Sequence, residues 1–228
     1  MQALPLPERI APALQVWRLE LTLGASPAAA DIALLSREEQ AAAERLQRAD
    51  DRLRAIAGRA ALRRLLGRAT GLAPQQLQLG AGRYGKPELR GRAGPAFNVS
   101  HAGPWVLIAI GAVAQVGVDL ECHQEGYAEL APYSLTPDER RQWQAERDLC
   151  AGFYDRWSAK EAALKCAGIG IGEHLQTLSL RRGPGTFVIT GQPPGLPAMH
   201  LINLPCPPGY SAALAYACCP WPEFRGRP

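Results

Sequence analysis

Several things are missing from this chain, and each absence removes a class of protein. No apolar run is long enough to span a membrane. The nearest, residues 106–118, is interrupted by Gln115 and contains two glycines, far below the roughly 18–20 residues a spanning helix needs. A buried strand pair fits it better. The N-terminus lacks the clean apolar stretch of a secretory signal, because prolines at 5, 7 and 12 flank Glu8 and Arg9. A cytoplasmic protein is expected. The six cysteines (122, 150, 166, 206, 218 and 219) form no Cys-x-x-Cys pair and no zinc-like spacing with the four histidines. They are expected to be buried free thiols. No low-complexity tract, linker or periodic repeat is visible in the 228 residues. What remains, 47% hydrophobic and 20% charged, is an ordinary folded composition.

The net charge of +4 is modest but unevenly placed. Residues 36–70 hold nine arginines against five acids, while the rest of the chain carries 16 basic and 16 acidic residues. A positive segment of this kind suits phosphates or an acidic partner. A nucleic-acid-binding module is the rival reading. The five interspersed acids and the lack of an aromatic stacking platform count against it.

Local patterns predict strands and helices in both halves of the chain. Residues 14–23 alternate as a strand does. Ser36 with Glu38 and Glu39 reads as a helix cap with acids in the first turn. Leu53, Ile56, Ala57, Ala60 and Ala61 have the spacing of one buried helix face, ending near Gly71. Residues 80–94 read as a turn-rich loop, and 96–100, 105–110 and 116–121 as strands. Thr136-Pro137-Asp138-Glu139 starts a helix, and residues 149–167 form another that stops at Gly168. Four strand-like segments fill the last third. The fold class is α+β.

Three constellations could carry chemistry. In Val116-Gly117-Val118-Asp119-Leu120-Glu121 the two carboxylates lie two apart on a strand and share a face. Two such charges repel unless a cation lies between them, and hard oxygen ligands favour Mg²⁺. A strand end facing water is the plainer alternative. His123 continues the alternation, either toward that face or toward solvent. In residues 153–165, Trp157, Glu161 and Lys165 are four apart on one helix face. There a carboxylate and an ammonium could serve a metal and a phosphate, or form a surface ion pair of about 0.3–0.5 kcal/mol. The third constellation is Gly85-Lys86-Pro87 followed by Asn98-Val99-Ser100-His101-Ala102-Gly103. A lysine held in a turn, with a serine and a histidine at a strand end, can donate to a bound anion. A serine–histidine hydrolase is the rival reading; the two residues are sequence neighbours and no Gly-x-Ser-x-Gly elbow exists, which counts against it. Another Mg²⁺ phosphotransferase or nuclease could use the same three carboxylates.

Taken in order, the Gly-Lys-Pro turn, Asn-Val-Ser-His-Ala-Gly, Val-Gly-Val-Asp-Leu-Glu and Trp-Ser-Ala-Lys-Glu-Ala-x-x-Lys resemble the phosphopantetheinyl transferases, in particular their long, surfactin-activator-like branch. The resemblance spans residues 36–180. It implies two similar α+β halves related by a pseudo-twofold, residues 1–114 and 115–228, with coenzyme A in the cleft between them. It implies transfer of the phosphopantetheine arm of coenzyme A to a serine of an apo carrier protein, with release of 3′,5′-ADP. It puts metal ligands for Mg²⁺ on Asp119, Glu121 and Glu161, and coenzyme contacts on Lys86, Asn98, Ser100, His101 and Lys165. Glu161 is the candidate base and Lys165 the stabiliser of developing charge. Where relatives often carry basic residues, this chain has Glu39 and Ala42, so Arg48 and Arg54, then Arg45, are the candidates to hold the 3′-phosphate. The arginine-rich face could dock an acidic carrier. An internally duplicated chain needs no partner to complete its cleft, so a monomer is compatible with it.

Overall fold

Each long helix ends on a glycine in the left-handed region, where a side chain would be strained. The first runs Ala49–Thr70 and stops at Gly71 (φ 73°); the second runs Leu149–Ala167 and stops at Gly168 (φ 69°). The computed structural model describes residues 1–8, 10, 14–82, 85–91, 94–170 and 174–217. Cys218 and Cys219 fall outside that set. The first half holds β1 (Gln2–Leu4), β2 (Leu14–Glu20), α1 (Ala29–Ile32), α2 (Arg37–Glu44), α3 (Ala49–Thr70), β3 (Leu79–Ala81), β4 (Pro87–Leu89), β5 (Ala96–Ala102) and β6 (Trp105–Gly111). The second holds β7 (Gln115–Cys122), α4 (Tyr127–Ser134), α5 (Pro137–Gln144), α6 (Leu149–Ala167), β8 (Ser179–Gly183), β9 (Thr186–Gly191), β10 (His200–Asn203) and β11 (Tyr210–Ala217).

The two halves are built alike. One sheet has the order β1-β2-β6-β5 and the other β10-β11-β7, all antiparallel. In each, the strand that precedes the helices (β2 or β7) and the penultimate strand (β5 or β10) flank the last (β6 or β11). In each, a long helix precedes a two-stranded ribbon, β3-β4 or β8-β9. This is the expected α+β pair of halves. The 106–118 run is the buried strand pair β6 and β7. Residues 80–94, read as a loop, contain most of the β3-β4 ribbon.

The duplication extends to a buried device. Ser36 and Thr136, one hundred residues apart, each cap a helix in a reciprocal box with Glu39 or Glu139. Each of those glutamates also pairs with a cation from the following long helix: Arg63 at 2.8 Å and Lys160 at 2.6 Å. The cation then holds carbonyls just beyond its helix, Pro74 and Leu77 for Arg63 and Leu175 for Lys160. Arg63 is therefore core, and Arg64 pairs with Asp31. Part of the arginine excess in residues 36–70 is structural and unavailable for ligands.

Helix α3 packs Leu62, Leu65 and Leu66 on the first sheet, and α6 packs Ala159, Ala162 and Cys166 on the second. A third cluster joins the sheets through Val16, Leu107, Val118 and Leu214. Each buried leucine or valine contributes roughly 1.5–3 kcal/mol. Among the cysteines, Cys166 is buried, whereas Cys122, Cys150 and Cys206 are half-buried; all four are free. Among the described residues, no helix is long and apolar enough to cross a membrane.

Candidate active site

The glycine of Val-Gly-Val-Asp-Leu-Glu decides how close β7 and α6 can come. A Cβ at Gly117 would drive into the Ala162 carbonyl and the Cys166 backbone nitrogen. With that approach allowed, Asp119 and Glu121 on β7 meet Glu161 on α6, one oxygen from each lying within 4.8 Å of the others. Asp119 is 1% exposed. The plainer reading of the motif, acids facing water at a strand end, does not hold.

Lys165 lies one turn beyond Glu161 and reaches the same carboxylates. Its ammonium pairs with Asp119 Oδ1 and stands 3.3 Å from Glu161 Oε2. Burial disfavours its charge, but the two carboxylates outweigh burial and raise its pKa. Glu121 is pushed up to about 7, by burial first and then by Asp119 and Glu161. Glu161 is also pushed up to about 7, by burial and then by Asp119. Trp157, the third residue of that helix stripe, donates its indole N–H to Glu121 Oε1 at 3.2 Å. Its position on the stripe was readable in the sequence; its long-range partner was not.

These carboxylates fit a hard cation. Asp119 Oδ2 is buried and accepts no hydrogen bond from any described residue, and three acids crowd one point beside a single lysine. Excess negative charge and an unsatisfied buried oxygen are what a divalent ion with oxygen ligands would relieve.

The first half reaches this site through β5. Ser100 donates to Asp119 Oδ1 at 3.0 Å and accepts the Leu120 N–H at 3.3 Å. Asn98 Oδ1 accepts the Val118 N–H at 2.8 Å. Lys86 donates to the carbonyls of Val116 and Lys165 at 2.8 and 2.7 Å. Lys86, Asn98 and Lys165 line a cleft of about 250 Å³ with Pro87 and Val99. Pro87 and Val99 also border a second cleft of about 400 Å³, with Arg54, Arg59, Leu62 and His101 on its walls. Burial and Arg54 hold the His101 imidazole below its usual pKa. Arg54 donates to the Gly103 carbonyl and pairs with Asp51. Arg45 and Arg48 occupy the end of α2 and the start of α3 and do not line that cleft. Arg59 does, and the sequence reading passed over it. His123 is half-buried on the face of β7 that Glu121 shares, not in solvent: it stacks on Tyr154 of α6 at 5.1 Å and bonds Oγ of Ser211, the residue opposite Glu121, at 2.9 Å.

Residues 115–207 match the family described as the 4′-phosphopantetheinyl transferase superfamily, and residues 26–112 match the 4′-phosphopantetheinyl transferase N-terminal family. The 4′-phosphopantetheinyl transferase HetI of Nostoc is 32% identical over 225 residues, covering 92% of this chain and 91% of its own. The chain belongs to the 4′-phosphopantetheinyl transferase superfamily. A Synechocystis relative is 43% identical over 145 residues, which is 61% of this chain and 59% of the relative, less than two thirds of its length. A crystal structure of a Bacillus anthracis holo-(acyl-carrier-protein) synthase in complex with CoA (3′,5′-ADP) aligns with 45% of this chain and 94% of its own. Its TM-score is 0.40 at 20% identity, a partial likeness. The chain brings Asp119, Glu121, Glu161 and Lys165 together at the seam between its halves.

Proposed function

We propose that this phosphopantetheinyl transferase moves the 4′-phosphopantetheine arm of coenzyme A onto a serine hydroxyl of an apo carrier protein. The observation that carries the reading is the convergence of Asp119, Glu121 and Glu161 with Lys165, beside clefts reaching into the first half. Asp119, Glu121 and Glu161 would hold Mg²⁺, which supplies charge neutralisation for a pyrophosphate.

The serine Oγ bonds to the β-phosphorus, and the bond from that phosphorus to the bridging oxygen breaks. The leaving 3′,5′-ADP keeps the electron pair. Lys165 stabilises the charge gathering on the phosphate oxygens. The serine proton goes to a Glu161 carboxylate oxygen, directly or through one water. Arg54, on the wall of the larger cleft with His101, is the leading candidate to hold the 3′-phosphate, ahead of Arg48 and Arg45. Exposed arginines around α2 and α3 suit an acidic carrier surface. A monomer working in the cytoplasm, where its co-substrate is found, accords with this reading.

The nucleic-acid alternative is weakened by the ion pairs that engage Arg63 and Arg64 with Glu39 and Asp31. The test is incubation with coenzyme A, Mg²⁺ and a panel of apo carriers from fatty-acid, polyketide and nonribosomal peptide synthases. One carrier should gain a single covalent arm of about 340 Da. Hydrolysis of coenzyme A with no modified carrier would reject the transfer.

A further inference from the structure

The chain has three lysines against 22 arginines. Each lysine sits where a compact ammonium meets several acceptors. Lys160 joins Glu139 and the carbonyls of Ser134 and Leu175, and Lys165 joins the carboxylates. Lys86, on the ribbon of the first half, gives hydrogen bonds to Val116 O and Lys165 O, both in the second half. An arginine fork is planar and larger, and could not substitute simply at such a point.

The two carbonyls it holds are mechanically placed. Val116 is the second residue of β7, three before Asp119. The Lys165 carbonyl belongs to the last turn of α6, where carbonyls lack full helical partners and the helix end favours a cation. Lys86 therefore ties the strand bearing Asp119 and Glu121 to the helix bearing Glu161 and Lys165, at the point where Gly117 lets them touch. Asn98 and Ser100 continue the grip, taking the Val118 and Leu120 amides. Alternate residues 116, 118 and 120 of β7 are thus held from the first half, along the edge that does not pair with β11. No backbone ladder joins β5 to β7 among the described residues, so side chains make this seam.

We infer that Lys86 is a positioning residue that clamps β7 against the last turn of α6 and so sets the spacing of the carboxylate cluster. This rests on the transferase reading only for the cluster's purpose; the clamp itself needs neither coenzyme A nor a carrier. A residue serving only as a coenzyme contact would leave the coenzyme-free protein unaffected by its loss.

The test uses the full chain without coenzyme A, as wild type, Lys86→Met and Lys86→Arg. Methionine keeps the stem and removes the donors, taking the ammonium from the Val116 carbonyl and leaving the Lys165 carbonyl only the Gly168 N–H. Amide exchange at Val118, Gly168 and Ile169 should then quicken about tenfold, and Mn²⁺ binding followed by electron paramagnetic resonance should weaken several-fold. Arginine should restore part of both. Unchanged exchange and Mn²⁺ affinity, with the effect confined to the KM for coenzyme A, would overturn the inference. If Lys86→Met does not fold, the wild type decides the matter. With three lysines, ¹⁵N spectra of the side-chain ammonium groups should give a Lys86 signal protected from solvent before coenzyme A is added. A Lys86 signal lost to rapid solvent exchange would reject the clamp. These readouts stand even if no carrier is modified, so failure of the clamp and failure of the transferase reading are distinguishable.

Discussion

Helices α3 and α6 begin one hundred residues apart and pack on equivalent sheets, yet they present different chemistry to the seam. Where α6 carries Glu161 and Lys165, the same steps of α3 carry Ala61 and Leu65, both buried in the core. Further toward its start, α3 lines the larger cleft through Arg54, Gly58, Arg59 and Leu62. One copy of the unit thus forms a wall with cations on it, and the other forms a cluster of acids. The common parts are those that build the unit, namely the capping box and the buried ion pair behind it. A duplicated scaffold keeps its internal supports in both copies and is free to differ at the surface where the copies meet.

The widest contrast is in activity. Asp119→Ala and Glu161→Ala should each reduce transfer by several orders of magnitude with the fold retained, as would chelation of the metal in the unmodified protein. Leu65→Ala, at the equivalent step to Lys165, should instead cost about 2–5 kcal/mol of stability while the folded fraction keeps its turnover. Kinetics paired with denaturant titration would check both. Comparable loss of activity in Leu65→Ala at full folding would break the division between the halves.

Next in size is the shared device. Glu139→Ala strands Lys160, which is 0% exposed at its side chain, and should cost about 3–5 kcal/mol. Glu39→Ala should cost less, because Glu39 is 14% exposed and its Oε1 makes no hydrogen bond among the described residues, whereas Glu139 Oε1 accepts the Leu180 amide. Urea midpoints decide the order, and the reverse order would contradict the ranking by burial and hydrogen bonding.

A smaller effect would sharpen the role of the wall. Arg54→Ala should shrink the preference for coenzyme A over 3′-dephospho-coenzyme A by roughly tenfold or more, since a charged phosphate contact is worth about 1.5–3 kcal/mol. Arg48→Ala and Arg45→Ala should change it less. If all three leave the preference intact but raise the carrier's KM in a salt-dependent way, the segment docks the carrier instead.

The smallest expected effect is on the pH dependence of stability. Glu121 and Glu161 sit at about 7 against an ordinary value of 4.5. A carboxyl with a raised folded-state pKa is protonated more readily in the folded than in the unfolded chain, so it costs stability as pH rises from about 4.5 through about 7. A cation among the carboxylates removes that cost. Mg²⁺ should therefore raise the Tm more at pH 8 than at pH 6; equal shifts at both would contradict the electrostatics of the cluster.

The sequence made the long helices legible because their caps and terminal glycines are local signals, and the carboxylate pair because strand alternation needs only neighbouring residues. Short β1, α1 and α4, the last with Pro132 inside it, left no pattern strong enough to see. The duplication came only with the family resemblance and not as a visible repeat, because little but Leu35-Ser36 and Leu135-Thr136 with their glutamates corresponds residue for residue. The internal bonds of Lys86, Arg63 and Trp157 could not be read locally. Their partners are 30, 24 and 36 residues away, and only the folded chain brings them together.

The most direct measurement is the intact mass of an apo carrier incubated with coenzyme A and Mg²⁺, with wild type and Glu161→Ala run side by side and released 3′,5′-ADP quantified. The account expects one phosphopantetheine, about 340 Da, and one 3′,5′-ADP per carrier with the wild type, and neither with the variant. Equal modification by Glu161→Ala, or no modification of any apo carrier by the wild type, would contradict it.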